Sequence, residues 1–153
     1  MDPSHITCTR CNESDLEAVV PLVQGYHAFE HIEMEEQARR HAVKKLLSQP
    51  QLGSIWGIYE RSELVGYMAV CPSYTIEMGG KDAFIDEFFL LPNARGRGIG
   101  KWALQFIKAQ MIKEGIVALH LIVADENAPA IHLYEREGFV ERSGFKLRSL
   151  VLA

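Results

Sequence analysis

Apolar and polar positions along this chain follow two different periods, which predict a succession of strands and helices. Alternating or continuous apolar stretches predict seven strands: 6–10, 54–59, 64–74, 83–91, 117–123, 139–140 and 145–152. Spacing of three and four residues predicts four helices: one after Ser14, one from 34 to 48, one from 97 to 115, and one from Asn127 to Gly138. The predicted order is therefore β-α-α-β-β-β-α-β-α-β-β.

Two local signals refine the first helix, and one refines the sheet. Ser14 and Glu17 have the spacing of a capping box, which places the helix start there. Pro21 lies inside the same helix and predicts a kink or an early break. Residues 117–123 are apolar on both alternating faces, which favours a strand in the middle of a sheet.

The bulk composition fits one α/β domain over residues 1–153. The chain is 48% hydrophobic and has a net charge of −4, which argues against nucleic acid as the main partner. No apolar run approaches the roughly 20 residues of a membrane span, and the N-terminus lacks the basic and apolar regions of a secretion signal. We therefore expect a cytoplasmic protein with no membrane partner.

The three cysteines are expected to be free thiols. Cys8 and Cys11 form a C-x-x-C spacing, which occurs in redox and zinc sites, but no second pair completes such a site. Cys71 lies in an apolar strand and is expected to pack as a small hydrophobic residue.

A glycine-rich basic segment between a strand and a helix carries the strongest chemical signal. The apolar run 84–91 reaches Pro92, and Arg95-Gly96-Arg97-Gly98-Ile99-Gly100-Lys101 then precedes the third helix. Backbone N–H groups at a helix start, together with the helix dipole, favour an anion. This segment therefore predicts a site for a phosphate-bearing cofactor.

The spacing of the glycines distinguishes between cofactors. Neither the G-x-G-x-x-G of dinucleotide sites nor the G-x-x-x-x-G-K-[ST] of nucleoside triphosphate sites fits. Arg95, Gly98 and Gly100 instead give R-x-x-G-x-G, which resembles the pyrophosphate loop of the GNAT superfamily, the acetyl-CoA-dependent N-acetyltransferases. Residues 123–139 also resemble the second GNAT signature, V-x-x-x-N-x-x-A-x-x-x-Y-x-x-x-G-F. The resemblance covers nearly the whole chain and implies the GNAT fold, with a mixed sheet of about seven strands.

The resemblance further implies that acetyl-CoA is the co-substrate and that no metal is needed. In that fold the predicted strands 84–91 and 117–123 would be parallel neighbours that splay apart. Pantetheine would lie in the opening and pair with the backbone of residues 88–90, and the diphosphate would reach the amides of residues 96–101. The residues expected to bind the cofactor are Phe88, Phe89, Leu90, Arg95, Gly96, Arg97, Gly98, Ile99, Gly100, Lys101, Asn127 and Ala130.

Acetyl transfer to an amine requires a base for the amine and an acid for the leaving thiolate. An alkyl amine has a pKa near 10 and must lose a proton before it attacks, which a carboxylate can accept. Glu87 or Asp86 can be that base, and we favour Glu87, although a strand bulge would change which of the two faces the acceptor. Tyr134 is the candidate acid for the leaving thiolate, as the family geometry implies.

The acceptor is expected to be a small cationic amine or a polyamine. Tyr26, Glu30 and Glu33 lie in the region that lines the acceptor cleft of GNAT enzymes. That region and Asp86-Glu87-Phe88-Phe89 are similar to diamine (spermidine/spermine) acetyltransferases, while the rest also resembles histone-acetyltransferase-like members. A protein lysine or N-terminus is therefore an alternative acceptor, and we expect a homodimer.

Two rival interpretations remain from the residues alone. His27-Ala28-Phe29-Glu30-His31 spells H-x-x-E-H, a zinc-peptidase pattern, but no clear third ligand accompanies it. A GNAT-shaped domain could also bind acetyl-CoA as a sensor without catalysis, although Arg95, Asn127 and Tyr134 are all in place.

Overall fold

The computed structural model describes residues 3–153, and the chain divides into two compact units, Met1–Ile122 and Val123–Ala153. The first unit contains β1 (Ile6–Arg10), α1 (Leu16–Phe29), α2 (Glu36–Ser48), β2 (Ser54–Glu60), β3 (Glu63–Thr75), β4 (Gly80–Leu90), α3 (Ile99–Lys113) and β5 (Leu119–Leu121). The second unit contains α4 (Ala128–Arg136). No helix within residues 3–153 combines the length and the apolarity that a membrane crossing would need.

The strands form one mixed sheet in the order β1-β2-β3-β4-β5. The first three pairings are antiparallel, and β4 and β5 are parallel. The β4–β5 ladder joins residues 83–85 to 119–121 and ends where β5 ends, so β4 runs on beyond its partner.

Helices cover both faces of this sheet. One cluster of buried side chains joins α1 and α2 to alternate residues of β2, β3 and β4, among them Ile55, Tyr67 and Phe89. Trp56 points to the opposite face, where its ring lies 5.7 Å from that of Phe106 on α3. Alternation along the strands thus separates an α1–α2 face from an α3 face.

The first helix differs in two respects from the sequence prediction. The capping box is formed by Asn12 and Asp15, around a short 3₁₀ turn, and not by Ser14 and Glu17. The predicted early break at Pro21 is wrong, because α1 continues to Phe29. A proline removes only one helical hydrogen bond, and burial of the apolar residues on both sides of Pro21 stabilises the helix against that loss.

The predicted count of about seven strands is also wrong, because the sheet has five. Residues 139–140 and 145–152 alternate as strands do, but none of residues 139–153 joins a ladder. β5 is shorter than the predicted 117–123 and lies at the sheet edge, not in its middle. Alternation shows that a segment can form a strand, whereas a strand exists only where another backbone pairs with it.

A bulge in β4 sets which side chains reach the α1–α2 face. Ala69 pairs with Glu87, whereas its neighbour Val70 pairs with Ile85, so Asp86 is an extra residue without a partner on β3. Glu87 consequently shares the face of Ala69, and Ile85 shares the opposite face with Val70. Without the bulge, Ile85 and Glu87 would point to the same side.

Candidate active site

The Glu87 carboxylate lies at the centre of a hydrogen-bonded group drawn from four elements. Its Oε1 accepts a hydrogen bond from the Tyr67 hydroxyl on β3 at 2.7 Å, and its Oε2 lies 2.7 Å from Nε2 of His27 on α1. The His27 Nδ1 in turn accepts from Nε of Arg39 on α2 at 3.1 Å. Both oxygens are therefore held, while 18% of the Glu87 side chain remains accessible to solvent.

The two side chains that contact Glu87, and Arg39 behind His27, are deeply buried. Tyr67 is fully buried, and the exposed fractions of His27 and Arg39 are 5% and 8%. Burial, and then the negative charge of Glu87, raise the pKa of Tyr67, so its phenol keeps the proton that it donates. Gly25 lets α1 lie this close to β4, since a Cβ there would lie 3.1 Å from the Phe89 ring.

Asp86 is placed differently from Glu87, although the two are adjacent. It occupies the bulge and is exposed. Partial desolvation, and then the charge of Glu87, raise the pKa of Asp86. The two candidate bases therefore differ in surroundings: one carboxylate is held by two side chains inside the fold, and the other faces solvent.

The backbone beside Glu87 is open on the side away from β3. Leu91 N–H donates to the carbonyl oxygen of Val65 at 2.8 Å, so the polar groups of residue 91 point toward β3. The direction of the backbone N–H and C=O groups alternates from residue to residue along an antiparallel pair. The N–H and C=O groups of Phe88 and Leu90 therefore point away from β3. β5 does not extend that far, and the Leu90 carbonyl accepts from Arg95 Nε at 2.8 Å. The N–H and C=O groups of Phe88 and the N–H of Leu90 therefore form an edge that no strand of the described sheet pairs with, on the strand where pantetheine is expected.

The glycine loop has the geometry that its sequence predicts for an anion site. Gly96 and Gly98 have φ of 70° and 83°, a conformation that L side chains rarely adopt. Gly98 is the N-cap of α3 and provides no side-chain cap. The N–H groups of Ile99, Gly100 and Lys101 therefore begin a 15-residue helix without intrahelical acceptors.

The two loop arginines contact protein groups. Arg95 donates from Nε to the Leu90 carbonyl at 2.8 Å, and its guanidinium lies over the rings of Phe29 and Phe89, 4.9 and 5.1 Å from their centroids. Arg97 donates to Glu60 at 2.7 Å. The exposed Lys101 stands in the first turn of α3.

The predicted acceptor residues lie at the end of α1. Tyr26 is on the helix, and its ring lies 6.0 Å from that of His27 and 6.3 Å from that of Phe89. Glu30 is the residue that ends α1, and Glu33 is exposed in the connection to α2. Tyr26 therefore adjoins the Glu87 group, and the two glutamates occupy the adjoining segment.

The second unit contains the remaining predicted residues. The Asn127 side chain accepts from the Ala130 N–H at 3.3 Å and so caps α4, as its position predicted. Tyr134 lies on α4 with its ring 5.8 Å from that of Phe139. Gly138, with φ of 95°, follows the end of the helix.

Sequence reasoning missed three residues of the Glu87 group: His27, Tyr67 and Arg39. A buried arginine on a polar helix and a tyrosine in an apolar strand give no local signal of their partner. His27 did carry a signal, as part of the H-x-x-E-H pattern. However, α1 ends before His31, which is exposed and has φ of 57°, whereas His27 is buried against Glu87.

The other motif with possible metal or redox chemistry is the C-x-x-C. Cys8, Cys11 and Cys71 are free thiols, as predicted. Burial is the main cause that raises their pKa values, to about 12 for Cys8 and about 11 for the other two, so the thiols are protonated at neutral pH. Across residues 3–153, no three His, Cys, Asp or Glu side chains gather as a metal site requires.

The fold and the site together define an acetyltransferase of the GNAT type. Residues 17–139 match the Acetyltransferase (GNAT) family, and the chain belongs to that family. It is an N-acetyltransferase, of the class that transfers an acyl group to an amine, and the family uses acetyl-CoA as co-substrate.

Individual relatives agree with this assignment. The chain is 26% identical over 132 residues to the uncharacterized N-acetyltransferase YhfO of Bacillus subtilis (strain 168), covering 86% of this chain and 88% of YhfO. It is 30% identical over 88 residues to a probable spermine N(1)-acetyltransferase of Bacillus subtilis subsp. natto (strain BEST195), covering 54% of this chain and 57% of that protein. Among solved structures, an integron cassette protein from the mobile metagenome of Cole Harbour Salt Marsh superposes with a TM-score of 0.82 at 34% identity, covering 95% of this chain and 90% of that one.

Proposed function

We propose that this enzyme transfers the acetyl group of acetyl-CoA to a small cationic amine, by direct attack in a ternary complex, with Glu87 as the base. One observation carries the proposal. An ionisable carboxylate, held on both oxygens, lies on the strand whose next residues present a free backbone edge. An amine bound there would meet a proton acceptor and a thioester together, and such pairing can lower a barrier by several kcal/mol.

Two backbone features support acetyl-CoA as the donor. The outward N–H and C=O groups of Phe88 and the N–H of Leu90 can pair with the amides of pantetheine as an added strand. The uncapped N–H groups of Ile99, Gly100 and Lys101 can take the diphosphate. Since Arg97 is engaged by Glu60 and Arg95 by Leu90, we assign the diphosphate to the amides, with Lys101 as the nearby cation.

The chemistry balances when two protons leave the nitrogen and one reaches the sulfur. Glu87 accepts the first proton from the ammonium group, and the freed amine forms the C–N bond as the C–S bond of the thioester breaks. The second proton leaves the nitrogen to water as that bond forms. The thiolate of coenzyme A takes a proton for which the GNAT resemblance makes Tyr134 the donor, and water returns a proton to Tyr134. Asp86 is the alternative base, although it lies in the bulge and has no such side-chain support.

The acid is tested by Tyr134→Phe, which removes only the hydroxyl. We expect kcat to fall about tenfold or more while the affinity for acetyl-CoA stays within about twofold. Tyr74→Phe is the matched control, since Tyr74 is exposed on β3. Turnover unchanged in Tyr134→Phe would remove Tyr134 from this role.

Charge near the end of α1 supports a cationic acceptor. Glu30 donates its N–H to the carbonyl of Tyr26 at 2.9 Å, and Tyr26 adjoins the Glu87 group. The exposed Glu33 follows in the connection from α1 to α2. The similarity to a probable spermine N(1)-acetyltransferase supports a polyamine in particular. A protein lysine or N-terminus is the alternative acceptor, and a cofactor-binding sensor without turnover is the alternative function.

The deciding experiment measures thiol release from acetyl-CoA over a panel of polyamines, diamino acids, aryl amines and lysine peptides. We expect turnover with polyamines or other small cationic amines. Turnover with peptides alone would overturn the small-amine acceptor. Tight binding of acetyl-CoA with no thiol release on any member would favour the sensor.

Binding of the cofactor is tested separately by calorimetry on a matched pair of glycine variants. Gly96 and Gly79 both have positive φ and open space around the position of a Cβ, but only Gly96 lies in the loop. We expect Gly96→Asp to weaken acetyl-CoA binding at least about tenfold, because it adds a negative charge beside the diphosphate site, and Gly79→Asp to leave it unchanged. Equal affinities would show that the diphosphate binds elsewhere.

A further inference from the structure

His27 is a buried side chain that the acetyl-transfer chemistry above does not use. It lies between the candidate base and a buried cation: its Nε2 is 2.7 Å from Glu87, and its Nδ1 is 3.1 Å from Nε of Arg39. Arg39 also donates to the carbonyl of Met34 at 3.1 Å, which fixes the guanidinium from the connection between α1 and α2. The three side chains form a line from α2 through α1 to β4.

The chemistry of these groups fixes the protonation of the imidazole. A guanidinium in a protein has only donors and keeps its charge. Nδ1 of His27 must therefore be the acceptor of the Arg39 hydrogen bond, and the ring hydrogen must be on Nε2. That hydrogen points at Glu87, whose carboxylate oxygen accepts it.

The titratable and charged groups around the His27 ring come from every element packed against it. β4 contributes the carboxylates of Glu87 and Asp86, β3 the phenol of Tyr67, α2 the guanidinium of Arg39, and α1 the phenol of Tyr26. The cation and the Glu87 carboxylate are thus separated by a neutral ring that bonds to both. A second proton on that ring would have to displace Arg39, which is buried and held by Met34.

We propose that His27 is a positioning residue that aims the Glu87 carboxylate, and that Arg39 fixes the Nε2–H tautomer in which His27 donates to Glu87. This rests on the proposed function, in which Glu87 is the base. The first proton that leaves the amine nitrogen forms an O–H bond on Glu87, and it passes to water once the product has left. With Nδ1 free, the ring hydrogen could occupy either nitrogen, and only the Nε2–H form donates to Glu87.

The first test is ¹⁵N NMR of the imidazole groups in the full chain without cofactor. The His27 signals are identified by their loss in His27→Gln. We expect the wild type to carry its ring hydrogen on Nε2 alone, because Arg39 occupies Nδ1, and we expect Arg39→Met to show hydrogen on Nδ1 as well. Arg40→Met is the matched control, since Arg40 lies next along α2 and pairs at the surface with Glu17.

Two results would overturn the proposal. One is a wild-type His27 that carries hydrogen on Nδ1. The other is a folded Arg39→Met whose His27 behaves as in the wild type. If Arg39→Met does not fold, the wild-type tautomer decides, and Arg39→Lys, which retains a donor, should keep the wild-type tautomer.

The second test is the split between kcat and KM. We expect Arg39→Met to lower kcat about tenfold with the KM for acetyl-CoA unchanged, and Arg40→Met to keep both wild-type values. His27→Ala should lower kcat about 10- to 100-fold with the KM for acetyl-CoA unchanged, and His27→Gln, which can donate from its amide, should recover part of that loss. A rise in KM that matches the fall in kcat, and no recovery with Gln, would reduce His27 and Arg39 to structural roles.

The two proposals fail in different ways. If Glu87→Gln retains full turnover, Glu87 is not the base and the proposed function is wrong in that respect, whatever the tautomer of His27. If Glu87→Gln is inactive but His27 carries hydrogen on Nδ1 in the wild type, the proposed base stands and the role assigned to Arg39 is overturned.

Discussion

Two acidic residues on β4, Asp82 and Glu87, show how differently the same functional group is used. Asp82 is fully buried and accepts hydrogen bonds from Ser73 at 2.6 Å, Thr75 at 2.5 Å and His120 at 2.8 Å. Glu87 has two donors and keeps partial access to solvent. One carboxylate is saturated by its neighbours, and the other can still accept a proton.

The position of the bulge explains how both acids come to lie on one face. Asp82 shares its face with its partner Ser73, and so with the odd-numbered residues of β3. The extra residue at Asp86 then shifts the alternation, so that Glu87 returns to that face. The donors to Asp82 connect β3, β4 and β5, which indicates a structural role, whereas the donors to Glu87 are Tyr67 on β3 and His27 on α1 and so join the sheet to a helix at the candidate site.

Replacing each acid by its amide is the most direct test of the different roles of Glu87 and Asp82. We expect Glu87→Gln to lower kcat about 100- to 10,000-fold, because it removes the proton acceptor, while the melting temperature falls less than in Asp82→Asn, since Glu87 keeps access to solvent and Asp82 does not. Steady-state kinetics and thermal melting measure both effects. Asp86→Asn is the matched control, and a larger loss of kcat there would transfer the role of base to Asp86.

Removing one donor from Glu87 should have a smaller effect. Tyr67→Phe deletes the hydroxyl that holds Oε1, and a hydrogen bond to a charged group contributes about 1.5–3 kcal/mol. We therefore expect kcat to fall about tenfold through loss of the carboxylate's orientation, with the KM for acetyl-CoA unchanged. Tyr74→Phe on the exposed side of β3 should have wild-type kinetics. Wild-type turnover in Tyr67→Phe would show that this bond does not position the base.

The opposite pattern is expected at Asp82. Asp82→Asn turns an amide N–H toward a hydroxyl or imidazole donor and leaves buried polar groups unpaired, so we expect the melting temperature to fall by about 5 °C. Asp125→Asn, at an exposed position in the second unit, should melt as the wild type does. An unchanged melting temperature in Asp82→Asn would contradict its structural role.

The smallest expected effect is on the acid dependence of stability. The hydrogen bonds from Ser73 and Thr75 lower the pKa of Asp82 from 3.8 to about 2. Because the folded state favours the ionised form, this stabilisation is present above about pH 4 and is lost as the pH falls toward about 2. Urea unfolding across that range should show a shallower pH dependence in Asp82→Asn, and identical slopes would contradict the shift.

Much of the fold could be predicted because its signals are local. Helices α2 and α3, strands β1 to β4 and the cap of α4 by Asn127 lie within a few residues of their predicted positions. The errors concern pairing and context. The end of the chain alternates without joining a ladder, and α1 passes through Pro21 because its apolar neighbours are buried.

In the candidate site, too, the features encoded by adjacent residues could be predicted and the contacts between distant residues could not. The glycine loop could be predicted because positive φ at Gly96 and Gly98 and a helix start at Ile99 are properties of adjacent residues. The contacts of Arg95 and Arg97 could not, since Leu90, Phe29 and Glu60 reach them through the folding of the chain.

The sequence by itself determined the family, the order of the first elements and the segment that can hold a phosphate, because spacing and backbone conformation are encoded over a few neighbouring residues. Only the tertiary structure decided which acid on β4 points inward and which side chains hold it. The bulge at Asp86 depends on the register with β3, and the contact of His27 with Glu87 spans 60 residues of chain. Such contacts depend on how helices and strands pack against one another, and no local pattern records that packing.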